Sequence, residues 1–332
     1  MRKLLRSTLC RTLLVAVATG ASSAALAQEK FTFLTNWYAQ AEHGGFYQAL
    51  ANGLYKRAGL DVVIRMGGPQ VNAMQLLAAG QTDCLMGFDV QTLKAWEQGV
   101  AAVTVAAAFQ KDAAVLIGHP GVVEKLEDLK GRTLLISSAS HTSFWPWLRA
   151  KYGLNDAQLR PYTFNIQPFV ADRNVVMQGY LSSEPYSIEK ETRIKPNVFL
   201  LSDHGWPPYS TTIVCMEKTV RERPQAVAAF VKASMEGWKS YLKDDPGPAN
   251  ALIRKDNPNM SADSIAHAID MLRQSGMVFG GDAATMGIGI VTDARMKATY
   301  DMLVATKLLD ASRVDLKRTY TTQFVRDLKV LP

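Results

Sequence analysis

The chain has 332 residues, of which 48% are hydrophobic, 20% charged and 9% aromatic. That composition excludes a disordered or collagen-like chain, and the length exceeds what one hydrophobic core usually organises, so two lobes are expected. The formal net charge is +7, but Arg2, Lys3, Arg6 and Arg11 lie in residues 1–27, which hold no acid. Removing these four charges from +7 leaves +3 on the remainder, too little to suggest a nucleic-acid binder.

Residues 1–27 read as a cleavable secretory signal. A basic start precedes an apolar run at 12–18, and small residues end in Ala25-Leu26-Ala27, so cleavage is expected before Gln28. A membrane anchor would need about 20 apolar residues, which this run does not reach. Cys10 is expected to leave with the signal. Cys84 and Cys215 both sit in apolar contexts and read as two separate buried thiols in preference to a disulfide. Neither has the spacing of a metal site.

Strands and helices then alternate. Strands are predicted at 30–34 and 61–66, with a helix at 45–58 between them whose Phe46, Ala49, Leu50 and Leu54 fall at helical spacing. A helix at 70–79 leads to a short buried strand at 83–87, a helix at 92–98, and strands at 103–109 and 115–118. A second unit is read from about residue 118. It holds a strand at 133–136, a polar loop at 137–141, a helix at 143–152, a strand and helix within 162–177, and a strand at 198–201. A strand at 211–215 returns to the first unit. Helices at 224–242, 262–273 and 293–306 follow, with an irregular glycine-rich stretch at 276–289. Strands separated by helices imply α/β lobes, each a doubly wound, mostly parallel sheet. The expected division is 28–117 plus 213–332 for the first lobe and 118–212 for the second, with a two-strand hinge and a ligand cleft between them.

Several motifs carry a family resemblance across nearly all of the chain beyond residue 27. They are Asn36-Trp37-Tyr38, then His43-Gly44-Gly45 with Phe46-Tyr47, Gly59-Leu60-Asp61-Val62, Leu76-Leu77-Ala78-Ala79-Gly80, and Ser183-Glu184-Pro185-Tyr186. In order and spacing they resemble the periplasmic solute-binding proteins of ABC importers, in the branch related to thiamine-pyrimidine-precursor proteins. The resemblance implies the two-lobed type II periplasmic binding fold, a small-molecule ligand, and permease and ATPase subunits in the inner membrane as partners. The same branch contains enzymes that make the thiamine pyrimidine from pyridoxal phosphate and an active-site histidine. His43 stands at the matching place. However, no lysine lies between Asn36 and Tyr47, where those enzymes carry a cofactor-linked one, and their cysteine-rich motif is absent.

The candidate site residues follow from strand ends and helix starts. Asn36, Trp37 and Tyr38 end the first strand, where parallel sheets bind ligands; the rings either stack on a flat guest or pack the lobe interface. His43 begins the next helix and either meets the ligand or packs locally. Gly68 and Gln70 lie in a strand-to-helix turn that offers close backbone approach and an amide, or is an ordinary turn. Asp89 either accepts from a ligand amine or, as the better reading, caps a helix. Ser138, Ser140, His141 and Thr142 offer a polar cradle before a helix, though Thr142 alone would also serve as its N-cap. Glu184, with Tyr186 beside it, would accept hydrogen bonds from an amino-pyrimidine-like edge and repel nitrate or sulfonate. No nucleophile–base pattern, G-x-S-x-G elbow or H-E-x-x-H motif is present, so binding is expected in place of turnover, with no cofactor and no metal. The expectation is a monomeric periplasmic receptor for a small planar nitrogen-containing solute. Its rivals are the same fold binding a sulfonate or nitrate, a thiamine-pyrimidine enzyme, and a sensor module.

Overall fold

The computed structural model describes residues 28–332, so the signal sequence expected at 1–27 lies outside the described residues. The strands in chain order are β1 (Glu29–Leu34), β2 (Leu60–Arg65), β3 (Cys84–Gly87), β4 (Ala102–Phe109), β5 (Ala114–Gly118), β6 (Thr133–Ile136), β7 (Leu159–Pro161), β8 (Val175–Tyr180), β9 (Asn197–Leu200) and β10 (Ser210–Met216). They form two five-stranded sheets, ordered β2-β1-β3-β10-β4 and β7-β6-β8-β5-β9. In each sheet the fourth strand is antiparallel to both neighbours, β10 in the first and β5 in the second. The other pairings are parallel, as right-handed crossovers through helices require.

The antiparallel strand in each sheet is the one that has just crossed from the other. β5 hydrogen-bonds to β8 and β9, so residues 114–117 belong to the second sheet although the sequence division placed them in the first lobe. The sheets divide the chain at 110–113 and again at 201–209. A short apolar strand reads the same in either sheet, which is why periodicity could not place this boundary. Beside the second crossing, Thr211 is held at φ 51°, a left-handed backbone that a β-branched residue seldom adopts.

The expected helix at 45–58 is two pieces, Gly44–Ala51 and Leu54–Arg57, because Gly53 turns left-handed at φ 66°. The first piece crosses the helix Pro224–Lys243 at glycine contacts. A Cβ on Gly45 would fall 2.2 Å from the Trp238 ring, and one on Gly237 would fall 2.2 Å from the Gly45 carbonyl oxygen. Trp238 is wedged edge-on between Phe46 and Phe109 at 5.9 and 5.4 Å. This crossing fixes the start of the first helix, and with it His43, against the core. The sequence reading missed the helices Glu184–Thr192 and Gly247–Asp256.

The two cysteines are joined. Cys84 on β3 and Cys215 on β10 face each other in an antiparallel ladder with Cα atoms 4.3 Å apart, and form a fully buried disulfide. The expectation of separate thiols fails because the two lie 131 positions apart in sequence, and only the return of β10 beside β3 brings them together.

Candidate functional site

β1 delivers its carboxyl end to the junction of the two sheets. There the Thr35 hydroxyl donates to the Trp37 carbonyl at 2.9 Å and accepts from the Gly67 amide at 3.1 Å, which sets the loop bearing Asn36 and Trp37. Gly67 must be glycine, since a Cβ would lie 2.1 Å from the Thr35 carbonyl oxygen. Trp37 reaches across to the other sheet's side. It stacks on Tyr162 at 6.1 Å and meets Phe164 edge-on at 6.4 Å.

Beneath these rings, Gln40 and His43 rise from the turn Ala41–His43 that opens the next helix. His43 is fully buried and neither ring nitrogen has a hydrogen-bond partner among the described residues. Burial drives its pKa down to about 3, so it stands neutral with one donor and one acceptor to offer. Glu42 is also buried. One carboxyl oxygen accepts from the Ser182 hydroxyl across the two sides and the other has no partner. Burial lifts its pKa to about 7, and Glu184 nearby adds to the rise.

Glu184 starts the helix Glu184–Thr192 and is 4% exposed. The Tyr162 hydroxyl donates to one oxygen at 2.7 Å and the Tyr180 amide donates to the other at 2.8 Å. Burial raises its pKa above the ordinary carboxylate range. Gly179 makes room, since a Cβ there would fall 2.9 Å from that of Glu184. On the same side the Ser137 and Ser140 hydroxyls are 3.0 Å apart, and Gln178 accepts from the Ser137 amide at 2.7 Å. Asn36, Trp37, Gln40 and His43 from one side, with Ser140, Gln178 and Glu184 from the other, enclose a cavity of about 40 Å³. That is far below the ~300 Å³ at the small end of ligand pockets, so the two sides stand closed on each other. No Lys or Arg lines it.

Residues 40–249 match the family model described as NMT1/THI5 like, which covers more than half of the chain. The chain belongs to the NMT1/THI5-like family. Among its curated relatives, 4-amino-5-hydroxymethyl-2-methylpyrimidine phosphate synthase THI11 of Saccharomyces cerevisiae is 22% identical over 69% of this chain and 75% of its own length. The formylaminopyrimidine-binding protein of Halalkalibacterium halodurans is 20% identical over 78% and 82%. A Bordetella bronchiseptica RB50 structure superposes with a TM-score of 0.72 at 16% identity, covering 91% of this chain and 98% of its own. The alkanesulfonate-binding protein SsuA of Xanthomonas axonopodis pv. citri, bound to MOPS, gives 0.61 at 14% identity over 88% and 98%. These likenesses establish the periplasmic-binding-protein fold.

Within this NMT1/THI5-like chain the sequence candidates separate. Asn36, Trp37, His43, Ser140 and Glu184 line the inner cavity. Gln70, Ser138 and Thr142 line a larger adjoining chamber, which Asn36 also touches. Gly68 and Tyr38 line neither: a Cβ on Gly68 would sit 3.3 Å from the Tyr38 ring, and Tyr38 backs Trp37 at 6.2 Å. Asp89 lines neither space and is not the cap: it is the first residue of the helix Asp89–Glu97, whose N-cap is Phe88, and its carboxyl accepts from the Val90 amide and the Thr299 hydroxyl, both at 2.8 Å. His141 is exposed and turned away from both spaces. Tyr186 lies outside, stacked on His267 at 4.2 Å. Sequence reasoning missed Gln40 and Gln178. Gln178 lies towards the carboxyl end of β8, so the strand-end rule that found Asn36 would have flagged it had β8 been resolved from its neighbours.

Proposed function

We propose that this NMT1/THI5-like chain is the periplasmic solute-binding component of an ABC importer. It captures a small planar nitrogen-bearing solute of the aminopyrimidine class by closing its lobes, and presents the closed form to a permease. The observation that carries this reading is Glu184. It is a buried carboxylate, oriented by two donors, at a cavity built from both sides and free of cationic side chains. Such a group accepts from ring-amino donors or pairs with a protonated ring, and desolvation disfavours an anion beside it. Trp37 supplies a flat face, and neutral His43 an edge donor or acceptor. The buried disulfide accords with an oxidising compartment.

Anion capture, as in the sulfonate-bound neighbour, lacks a basic side chain in this cavity. Turnover of the kind named for the yeast relatives is disfavoured by the residues present. Pyridoxal phosphate, which the thiamine-pyrimidine resemblance implies, does not fit them: no lysine lines the cavity. The lysine of the adjoining chamber, Lys94, is engaged by Glu97 and by the Leu308 carbonyl.

Calorimetry with 4-amino-5-hydroxymethyl-2-methylpyrimidine tests the reading, beside mass spectrometry of ligand released from freshly purified protein. Glu184→Gln is expected to weaken binding by about 10–100-fold, the scale of a hydrogen bond to a charged group. Trp37→Ala is expected to weaken it without unfolding the protein. Tighter binding of nitrate or an alkanesulfonate by Glu184→Gln, with no binding of the pyrimidine by the wild type, would replace this reading with the anion one.

A further inference from the structure

The inner cavity accounts for only part of the space between the two sides. A chamber of about 420 Å³ adjoins it, and Asn36, Met86 and Ala139 border both. Its polar lining is of one kind. Side-chain amides come from one side, among them Asn36, Gln70, Gln75 and Gln91, and hydroxyls from the other, Ser138 and Thr142. The floor is apolar, with Met74, Leu85 and Val100. No acid lines it, and Lys94, its one basic residue, already serves Glu97 and the Leu308 carbonyl. Two hydrogen bonds span the sides at this level: the Ser138 hydroxyl donates to the Gln70 side-chain oxygen Oε1 at 2.8 Å, and the Gln91 side-chain Nε2 donates to the Thr142 hydroxyl at 3.1 Å.

We infer that this chamber is a second subsite, and that the solute carries beyond its heterocyclic head an uncharged arm rich in hydroxyl or amide groups, as a nucleoside does. Amides and hydroxyls each both donate and accept, so they match a neutral polyol or amide at every position. A phosphate or carboxylate arm would need a free cation to offset its desolvation, and the compensated Lys94 does not supply one. The arm would pass Asn36, touch both sides, and replace the two spanning hydrogen bonds with its own. Closure would then depend on the arm as well as on the head.

The inference rests on the aminopyrimidine reading of the inner cavity, and three probes separate the two. They are cytosine, cytidine and cytidine 5′-monophosphate, titrated calorimetrically into the wild type and into Ala73→Phe and Gln98→Trp. Both substitutions fill the chamber from positions that do not border the inner cavity, and Gln98 is exposed, so that variant is expected to fold. Cytidine should bind about tenfold more tightly than cytosine, the gain of one or two net hydrogen bonds. Either variant should erase that ratio and leave cytosine affinity unchanged, and the monophosphate should bind no more tightly than cytidine. Equal affinity for cytosine and cytidine in the wild type, a ratio that survives both fillings, or a preference for the monophosphate would overturn the subsite while leaving the head reading intact. If neither cytosine nor 4-amino-5-hydroxymethyl-2-methylpyrimidine binds, the head reading has failed and the subsite falls with it.

Discussion

Replacing Cys84 and Cys215 together by alanine is expected to lower the unfolding free energy by about 2–5 kcal/mol. The bridge closes a loop of 131 residues, and that loop contains every strand of the second sheet. Cross-linking removes freedom from the unfolded chain, and the loss grows with the logarithm of loop length, so a loop this long sits near the top of the usual range. The folded state changes little, because the β3–β10 ladder that brings the cysteines together also pairs Thr212 with Gly87 and Val214 with Leu85. Denaturant unfolding should therefore show an earlier midpoint with a somewhat steeper slope, since the uncrosslinked chain exposes more surface. Against a total stability of about 5–15 kcal/mol, that loss would leave a protein that still folds and still binds its solute. An unchanged midpoint in the double variant, or two free thiols titrated in the native wild type, would remove the bridge from the stability account.

The bridge also illustrates what could be read in the sequence and what could not. Alternating strands and helices were legible because each is a local pattern, and Trp37 after β1 was legible because strand ends face the cleft in this class of sheet, whereas its neighbour Tyr38 stands behind it. Sheet membership was legible only in part. The strand at 211–215 was read as returning to the first unit, and β10 does pair with β3 and β4, but β5 joins the second sheet, and only its partners β8 and β9 reveal this. The site shows the same division. Glu184 was found, but Tyr186 was not separable from it by sequence. Once residues 184–192 are helical, two positions amount to about 200° of rotation, which points Tyr186 away from the cavity and onto His267. His141 is likewise turned outward from Ser140 by one step of a tight 3₁₀ turn. Gln40 and Gln178 carry no motif of their own. What marks them is convergence on one cavity, a property of the folded chain alone.

Stability is expected to fall as pH rises from about 5 to about 7, the reverse of what salt-bridged carboxylates produce. Burial lifts Glu42 and Asp89 to about 7 and Asp112 to about 6. Each holds its proton in the folded state at a pH where the unfolded chain has released it. The stability each contributes is present in full below its unfolded pKa, near 4, and is lost as pH climbs through the folded value. Glu184 adds to the same trend. His43 opposes it. With its pKa lowered to about 3, it favours folding increasingly between about pH 3 and 6.5, where the unfolded imidazole still binds a proton. Glu42, Asp89 and Asp112 together outweigh the one histidine, so near pH 5 the folded chain holds about two extra protons and loses on the order of 1.4 kcal/mol per pH unit for each. The slope should persist to about pH 7, where Glu42 and Asp89 are half titrated, and fade about one pH unit above it. Chemical denaturation of the wild type across this range checks the sign. Glu42→Gln and Asp89→Asn, each of which keeps an acceptor for Ser182 or Thr299, should each reduce the slope by about one proton. A flat or rising profile in the wild type would mean that burial does not hold Glu42 and Asp89 protonated in the folded chain.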